Sequence, residues 1–216
     1  MYGDERLIDA LATLPLSTHY GPWARVVALA HLQAPPPGAA PGSLPQPLWP
    51  GGAPRTGGRF TPKAGAPAVY LASEPMTALA EVEAVFEDTG ETWHYLDHRP
   101  YGVFCVAGIV PGILDLTDPD VCAALATEEQ ELRGPWRRAQ ERALAGRGAL
   151  PATQRLGQAA HASGRIGGLR YASAKVGGQH IPGTNLVVFA DRLALGGTTG
   201  RLQVVTTGAV YEQRLP

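Results

Sequence analysis

RTGGRFTPKAGAPAVYLASEPMTALAE, residues 55–81, joins a glycine pair, an apolar run and a helical pattern in one segment. Gly57-Gly58 gives the backbone freedom to turn tightly and lets another group approach closely. Ala68 to Ala72 (AVYLA) is apolar and reads as a short buried strand. Ser73-Glu74-Pro75 then predicts a helix start, with Ser73 as N-cap and proline in the first turn. Leu79, Val82, Val85 and Phe86 recur at helical spacing, so the helix is expected to run to about Phe86.

Working outward, the approach to this segment is unusual. Residues 34–58 contain eight prolines and six glycines in 25 positions, so a long irregular loop is expected. Before it, Leu7, Ile8, Leu11 and Leu14 predict an amphipathic helix over residues 4–14, and WARVVAL (23–29) a first strand. Downstream, GVFCVAGIV (102–110) predicts a strand ended by Pro111-Gly112. Asp115 to Leu125 predicts a turn into a helix, and 128–144 a charged helix interrupted at Gly134-Pro135. Thr153 is read as the cap of a helix over Gln154 to Ser163, with Gly164 as its left-handed terminus. Strands follow at 169–172, 185–190 and 202–206. Short strands mixed with short helices define an α+β or mixed α/β class, expected as one domain over 1–216.

Composition narrows the function. Hydrophobic residues at 44% with 17% charged residues fit a globular chain able to bury a core. A formal net charge of -1 argues against a direct nucleic-acid binder, whose phosphate contacts need a basic surface. No stretch approaches the roughly 18 apolar residues of a membrane span, so no membrane partner is expected and the cytoplasm is the default address. Cys105 and Cys122 are read as reduced, structural thiols. His19, His31, His94, His98, His161 and His180 form no HExxH and no compact ligand set, so no metal is expected.

Four side chains stand out for chemistry. Arg59, next to the Gly pair, offers a permanently charged planar fork that matches phosphate oxygens; the plainer reading is a surface arginine beside a turn. Tyr70 in the strand is either core packing or a ring that stacks on a flat ligand group. Glu81 lies at the edge of the helix's apolar stripe, where a carboxylate is costly unless paired or used. Glu83 and Glu87 read as solvated charges. Ser173 ends the strand of GGLRYASAK (167–175). No G-x-S-x-G elbow surrounds it, so hydrogen bonding or strand-end capping is its natural role.

Taken in order, GGRFTPKAG (57–65), AVYLASEPMTALAEV (68–82), ILDLTD (113–118), PATQRLGQAAHASG (151–164), GLRYASAK (168–175) and NLVVF (185–189) resemble the motifs of the RES domain, named for its Arg, Glu and Ser. The resemblance covers about Trp23 to Phe189. It departs at Thr61, where the family has asparagine, and in the longer Pro/Gly-rich approach to Arg59.

That resemblance implies an ADP-ribosyltransferase-like split β-core with flanking helices, gripping NAD⁺ in a cleft. It implies Arg59, Tyr70, Glu81 and Ser173 as the active-site quartet; the neighbouring Gly58, Arg55 and Lys63 are expected beside Arg59 to help hold the substrate. It implies cleavage of the nicotinamide–ribose bond by hydrolysis or phosphorolysis. The partners it implies are an Xre-type helix-turn-helix antitoxin and a second copy of the chain in a homodimer. The rival readings are a mono-ADP-ribosyltransferase acting on a protein, with the 34–58 loop as docking place, and a nucleotide-binding regulatory module that leaves NAD⁺ intact.

Overall fold

A computed structural model describes residues 1–39, 46–83, 85–88, 92–95, 99–175, 183–193, 199–205 and 214–215. Asp4–Thr13 forms α1, which buries Leu7 and Leu11 and leaves Ile8 exposed, as its heptad-like spacing requires. Two strands follow, β1 (Ser17–Tyr20) and β2 (Trp23–Ala28); only the second was legible, since STHY is polar and exposed. Inside the expected loop the chain forms a short helix, α2 (Gly52–Thr56). Residues 40–45 of that stretch lie outside the described residues.

Strand β3 (Ala68–Ala72) leads into α3 (Pro75–Glu81). Glu74 is the N-cap. The Ser73 hydroxyl instead accepts the Thr184 amide at 3.2 Å, which ties two strand ends together. The helix also stops five residues short of the expected Phe86. Glu83 adopts φ +59°, a left-handed backbone that ends helical hydrogen bonding. Val85–Asp88 (β4) and Thr92–Tyr95 (β5) then pair as an antiparallel hairpin. His94 falls within β5, while His98 and His180 lie outside the described residues.

The longest element is β6 (Tyr101–Asp115), which runs straight through Pro111-Gly112 instead of ending there. Proline is tolerated because its neighbour on that edge, β1, changes register between Ser17 and His19, and no ladder amide is needed at the irregularity. Four helices follow: α4 (Pro119–Ala124), α5 (Glu129–Arg133), α6 (Arg137–Leu144) and α7 (Ala152–Ala162). Gly134-Pro135 does separate α5 from α6. Pro151, not Thr153, occupies the N-cap of α7, and Gly164 has the expected positive φ of +71°. The chain closes with β7 (Gly168–Ala172), β8 (Thr184–Phe189), β9 (Arg201–Val205) and β10 (Arg214–Leu215).

Eight strands make one sheet in the order β10-β9-β6-β2-β3-β8-β7, with β1 also on β6. Its pairs are antiparallel except β6 with β7, where Ile113, Leu114 and Asp115 run parallel to Gly168, Leu169 and Arg170. Because one end of β6 meets β2 and the other meets β7, the path β6-β2-β3-β8-β7 closes on itself. This is the split β-core, with helices around it, that the motifs imply. Strand β8 shows how the two sides are filled. Leu186 and Val188 pack in one cluster with Val69, Leu71 and Val106, while Val187 and Phe189 pack in the other with Phe60, Leu114 and Leu156. Both faces are buried, so the strand reads as a continuous apolar run. Among the described residues no helix is long and apolar enough to cross a membrane.

Candidate active site

On β3, Tyr70 pairs with Val187 of β8, and Ala72 pairs with Asn185. On β7, Tyr171 also pairs with Asn185. Because side chains alternate along a strand, Tyr70, Ala72, Asn185, Tyr171 and the following Ser173 share one face of the sheet. A cleft of about 890 Å³ opens over that face, and Arg59, Tyr70, Glu81, Tyr171 and Asn185 are among the residues lining it. Three members of the expected quartet therefore line the cleft together. The fourth, Ser173, is fully buried and contacts Glu81 from behind.

The GGRF turn is built tightly. Gly57 has φ +80°, and a side chain on Gly58 would collide with the Tyr70 hydroxyl, so both glycines are required where they stand. The Gly58 amide donates to the Thr61 carbonyl at 2.7 Å. The Tyr70 hydroxyl accepts the Phe60 amide at 3.1 Å and pairs with Thr61 Oγ1 at 2.8 Å. Thus Thr61, the departure from the family's asparagine, is buried and anchors the tyrosine. Burial pushes the Tyr70 phenol up to about 12, against these hydrogen bonds and the Arg59 charge. From α7, Gln154 Nε2 donates to the Gly58 carbonyl at 2.8 Å, which ties the ATQRLG helix to the GGRF turn.

Arg59 is 8% exposed and donates from Nη1 to the carbonyls of Leu132 at 2.7 Å and Gly134 at 2.9 Å. Its Nε and Nη2 bond to nothing among the described residues, on a side chain that lines the cleft. The guanidinium thus satisfies the open C-terminal end of α5 and keeps donors for an anion. Arg55 is placed elsewhere: its guanidinium lies over the Trp49 ring at 5.9 Å. Lys63 is exposed, and neither Arg55 nor Lys63 lines the cleft.

Glu81, the last residue of α3, has its Oε1 held by two donors, Ser173 Oγ at 2.7 Å and Asn185 Nδ2 at 2.7 Å. Its Oε2 takes no hydrogen bond among the described residues. Ser173 Oγ also accepts the Lys175 amide at 3.1 Å. Glu83 pairs with Lys175 at 3.0 Å, which pulls its carboxyl below the usual range. Burial, and next the Glu81 charge, push the Tyr171 phenol upward.

Two contributors were missed in the sequence. Asn185 opens NLVVF and was read only as part of a strand. Arg25 sits in the apolar strand WARVVA, where a charged residue was the available signal. Arg25 lines the cleft, donates to the Tyr70 carbonyl at 2.9 Å and to the Pro47 carbonyl, and so joins β2, β3 and the Pro-rich approach. Burial draws its pKa down to about 10, which leaves it charged at neutral pH. Among the described residues, the cleft is lined by six Arg or Lys side chains (Arg25, Arg59, Arg99, Arg137, Arg138, Lys175) against three acidic ones (Glu81, Glu83, Glu141). The whole chain carries -1, so the cations are gathered here.

A closed β-core with a carboxylate, an arginine and a tyrosine converging on one basic cleft defines a fold that known structures share. The crystal structure of the M. tuberculosis MbcT-MbcA toxin-antitoxin complex contains a chain that superposes with a TM-score of 0.60 at 21% identity, covering 94% of this chain and 90% of that one. The RES domain model matches residues 35–203, well over half of the sequence, and the chain belongs to the RES family. No curated protein matches it.

Proposed function

We propose that this chain cleaves NAD⁺ between nicotinamide and ribose, and that it acts as the toxin of a toxin–antitoxin pair. The observation that carries the enzymatic reading is the Glu81 carboxylate: one oxygen is fixed by two donors at 2.7 Å, and the residue lines a cleft rich in cations. Such a carboxylate is suited to stabilise positive charge that develops beside it, because it needs no reorganisation when the charge appears.

Each residue takes a role from its placement. Arg59, with Nε and Nη2 unengaged, holds the pyrophosphate, and Arg25 adds charge on the opposite strand. The Tyr70 ring packs against nicotinamide or its ribose, since its hydroxyl already serves the GGRF turn. As the bond from C1′ to the pyridinium nitrogen breaks, its electron pair goes to nicotinamide. Nicotinamide leaves neutral and needs no acid. The ribose becomes oxocarbenium-like, as in glycoside hydrolysis, and Glu81 faces that charge. Water or phosphate then forms the new bond to C1′ and releases a proton to solvent. Ser173 acts through Glu81, since its buried hydroxyl is committed to that carboxylate.

The antitoxin we propose is of the Xre helix-turn-helix type, with the toxin itself a homodimer. The neighbouring structure is itself a toxin–antitoxin complex, and family membership favours the same arrangement. The test is to incubate purified protein with NAD⁺, with and without phosphate, and identify the products. Free nicotinamide with ADP-ribose names water as acceptor, and ADP-ribose 1″-phosphate names phosphate. Nicotinamide release only when a cell extract is added, with label transferred to protein, would replace this reading with protein ADP-ribosylation.

A further inference from the structure

Asn185 is 3% exposed and lies in the only polar position of NLVVF, a strand whose next four residues are all buried and apolar. An amide there is costly unless it is hydrogen-bonded. Its Nδ2 donates to Glu81 Oε1 at 2.7 Å. The charge on Glu81 also fixes which way the amide points, because an Asn carbonyl oxygen turned toward a carboxylate would be repelled. Asn185 is moreover held from both sides by the sheet, opposite Ala72 of β3 and Tyr171 of β7. Its position relative to Glu81 is therefore set by three strands and not by a loop.

We propose that Asn185 is a positioning residue for Glu81. With the Ser173 hydroxyl it clamps Oε1, which stops the carboxylate rotating and leaves Oε2 as the oxygen offered to substrate. This inference rests on the reading of Glu81 as the reacting carboxylate. Among the described residues, the other charged or titratable groups lining the same cleft are Tyr171 on β7, Tyr70 on β3, Arg59 in the GGRF turn, Arg25, His31, Arg99, Tyr101, Arg137, Arg138 and Glu141, and the Lys175–Glu83 pair.

The test compares wild type with Asn185→Asp and Asn185→Ala, each checked for folding by circular dichroism and thermal melting. Asn185→Asp keeps the shape but replaces the donor with a second carboxylate against Oε1. Two carboxylates that close cannot both ionise easily, so the pair titrates higher. The acid limb of the NAD⁺ cleavage profile should then move up by about one pH unit or more. Asn185→Ala should lower kcat by about 10- to 100-fold with KM nearly unchanged, as expected for a misplaced reacting group. In parallel, ¹³C NMR of glutamate-labelled protein follows the Glu81 carboxyl, assigned by its loss in Glu81→Gln. It should titrate at higher pH in Asn185→Asp than in wild type.

A folded Asn185→Asp with an unmoved acid limb and an unmoved Glu81 titration overturns the proposal, as does Asn185→Ala with wild-type kcat. Wild-type protein that releases no nicotinamide refutes the NAD⁺ reading alone, and the NMR titration still decides whether Asn185 governs Glu81. Should Asn185→Asp fail to fold, the kcat of Asn185→Ala decides.

Discussion

At the residue scale, Arg59 serves two ends at once. Its Nη1 closes the carbonyls of Leu132 and Gly134, so its loss strands one buried and one half-buried acceptor as well as the proposed anion contact. Arg59→Ala should therefore lower both NAD⁺ affinity and stability, the latter by about 2 kcal/mol or more. Calorimetric binding beside chemical denaturation separates the two, and unchanged affinity in the folded variant would remove the clamp. Tyr70 supplies a pH test. Its folded pKa of about 12 lies above the unfolded value near 10, so the native state holds this proton more tightly. Its contribution is fully present below pH 10 and is lost as pH rises toward 12. Denaturation midpoints should fall across that window less steeply in Tyr70→Phe than in wild type; parallel curves would show that Tyr70 does not titrate there. Motif order singled out Arg59, Tyr70, Glu81 and Ser173 as candidates, of which three line one cleft and the fourth bonds Glu81. Asn185 was not legible, since an isolated Asn at a strand start is ordinary and its partner lies 104 positions away.

At the element scale, the contact of α7 with the GGRF turn is what places Arg59. A side chain on Gly157 would run into the Phe60 backbone carbonyl, and backbone cannot yield as a flexible side chain would. Gly157→Ala should cost about 2–4 kcal/mol, read as a lower denaturant midpoint, with NAD⁺ turnover falling as the turn is displaced. A variant of wild-type stability would mean that α7 is not seated as described. The apolar strands and the α1 stripe were readable from periodicity, whereas three boundaries were not. The stop of α3 depends on a left-handed Glu83, which no residue preference announces. Strand β6 passes through Pro111 because a neighbouring register change removes the need for its amide. The Thr153 hydroxyl, expected as a cap, is buried inside α7 and has no hydrogen-bond partner among the described residues, since Pro151 is the N-cap.

At the scale of the whole molecule, the pairing of β8 with β3 on one side and β7 on the other brings Glu81 within reach of residues 92 and 104 positions further along the chain. Among the described residues, a near-neutral chain gathers six cations into the cleft that Glu81 lines, which is why net charge alone gave no hint of an anionic ligand. Family motifs made the class of fold and the main carboxylate visible. The basic wall supplied by Arg25, Arg99, Arg137 and Arg138 became visible only when strand β2 and helix α6 were set on either side of one cleft. The central claim is that Glu81 cleaves what this cleft binds. The most direct measurement is nicotinamide release from NAD⁺ by wild type and Glu81→Gln at equal concentration, with NAD⁺ affinity measured for both. Turnover should fall by at least about 100-fold in Glu81→Gln with affinity largely kept. Equal turnover in the two proteins, or equal loss of binding and turnover, would contradict it.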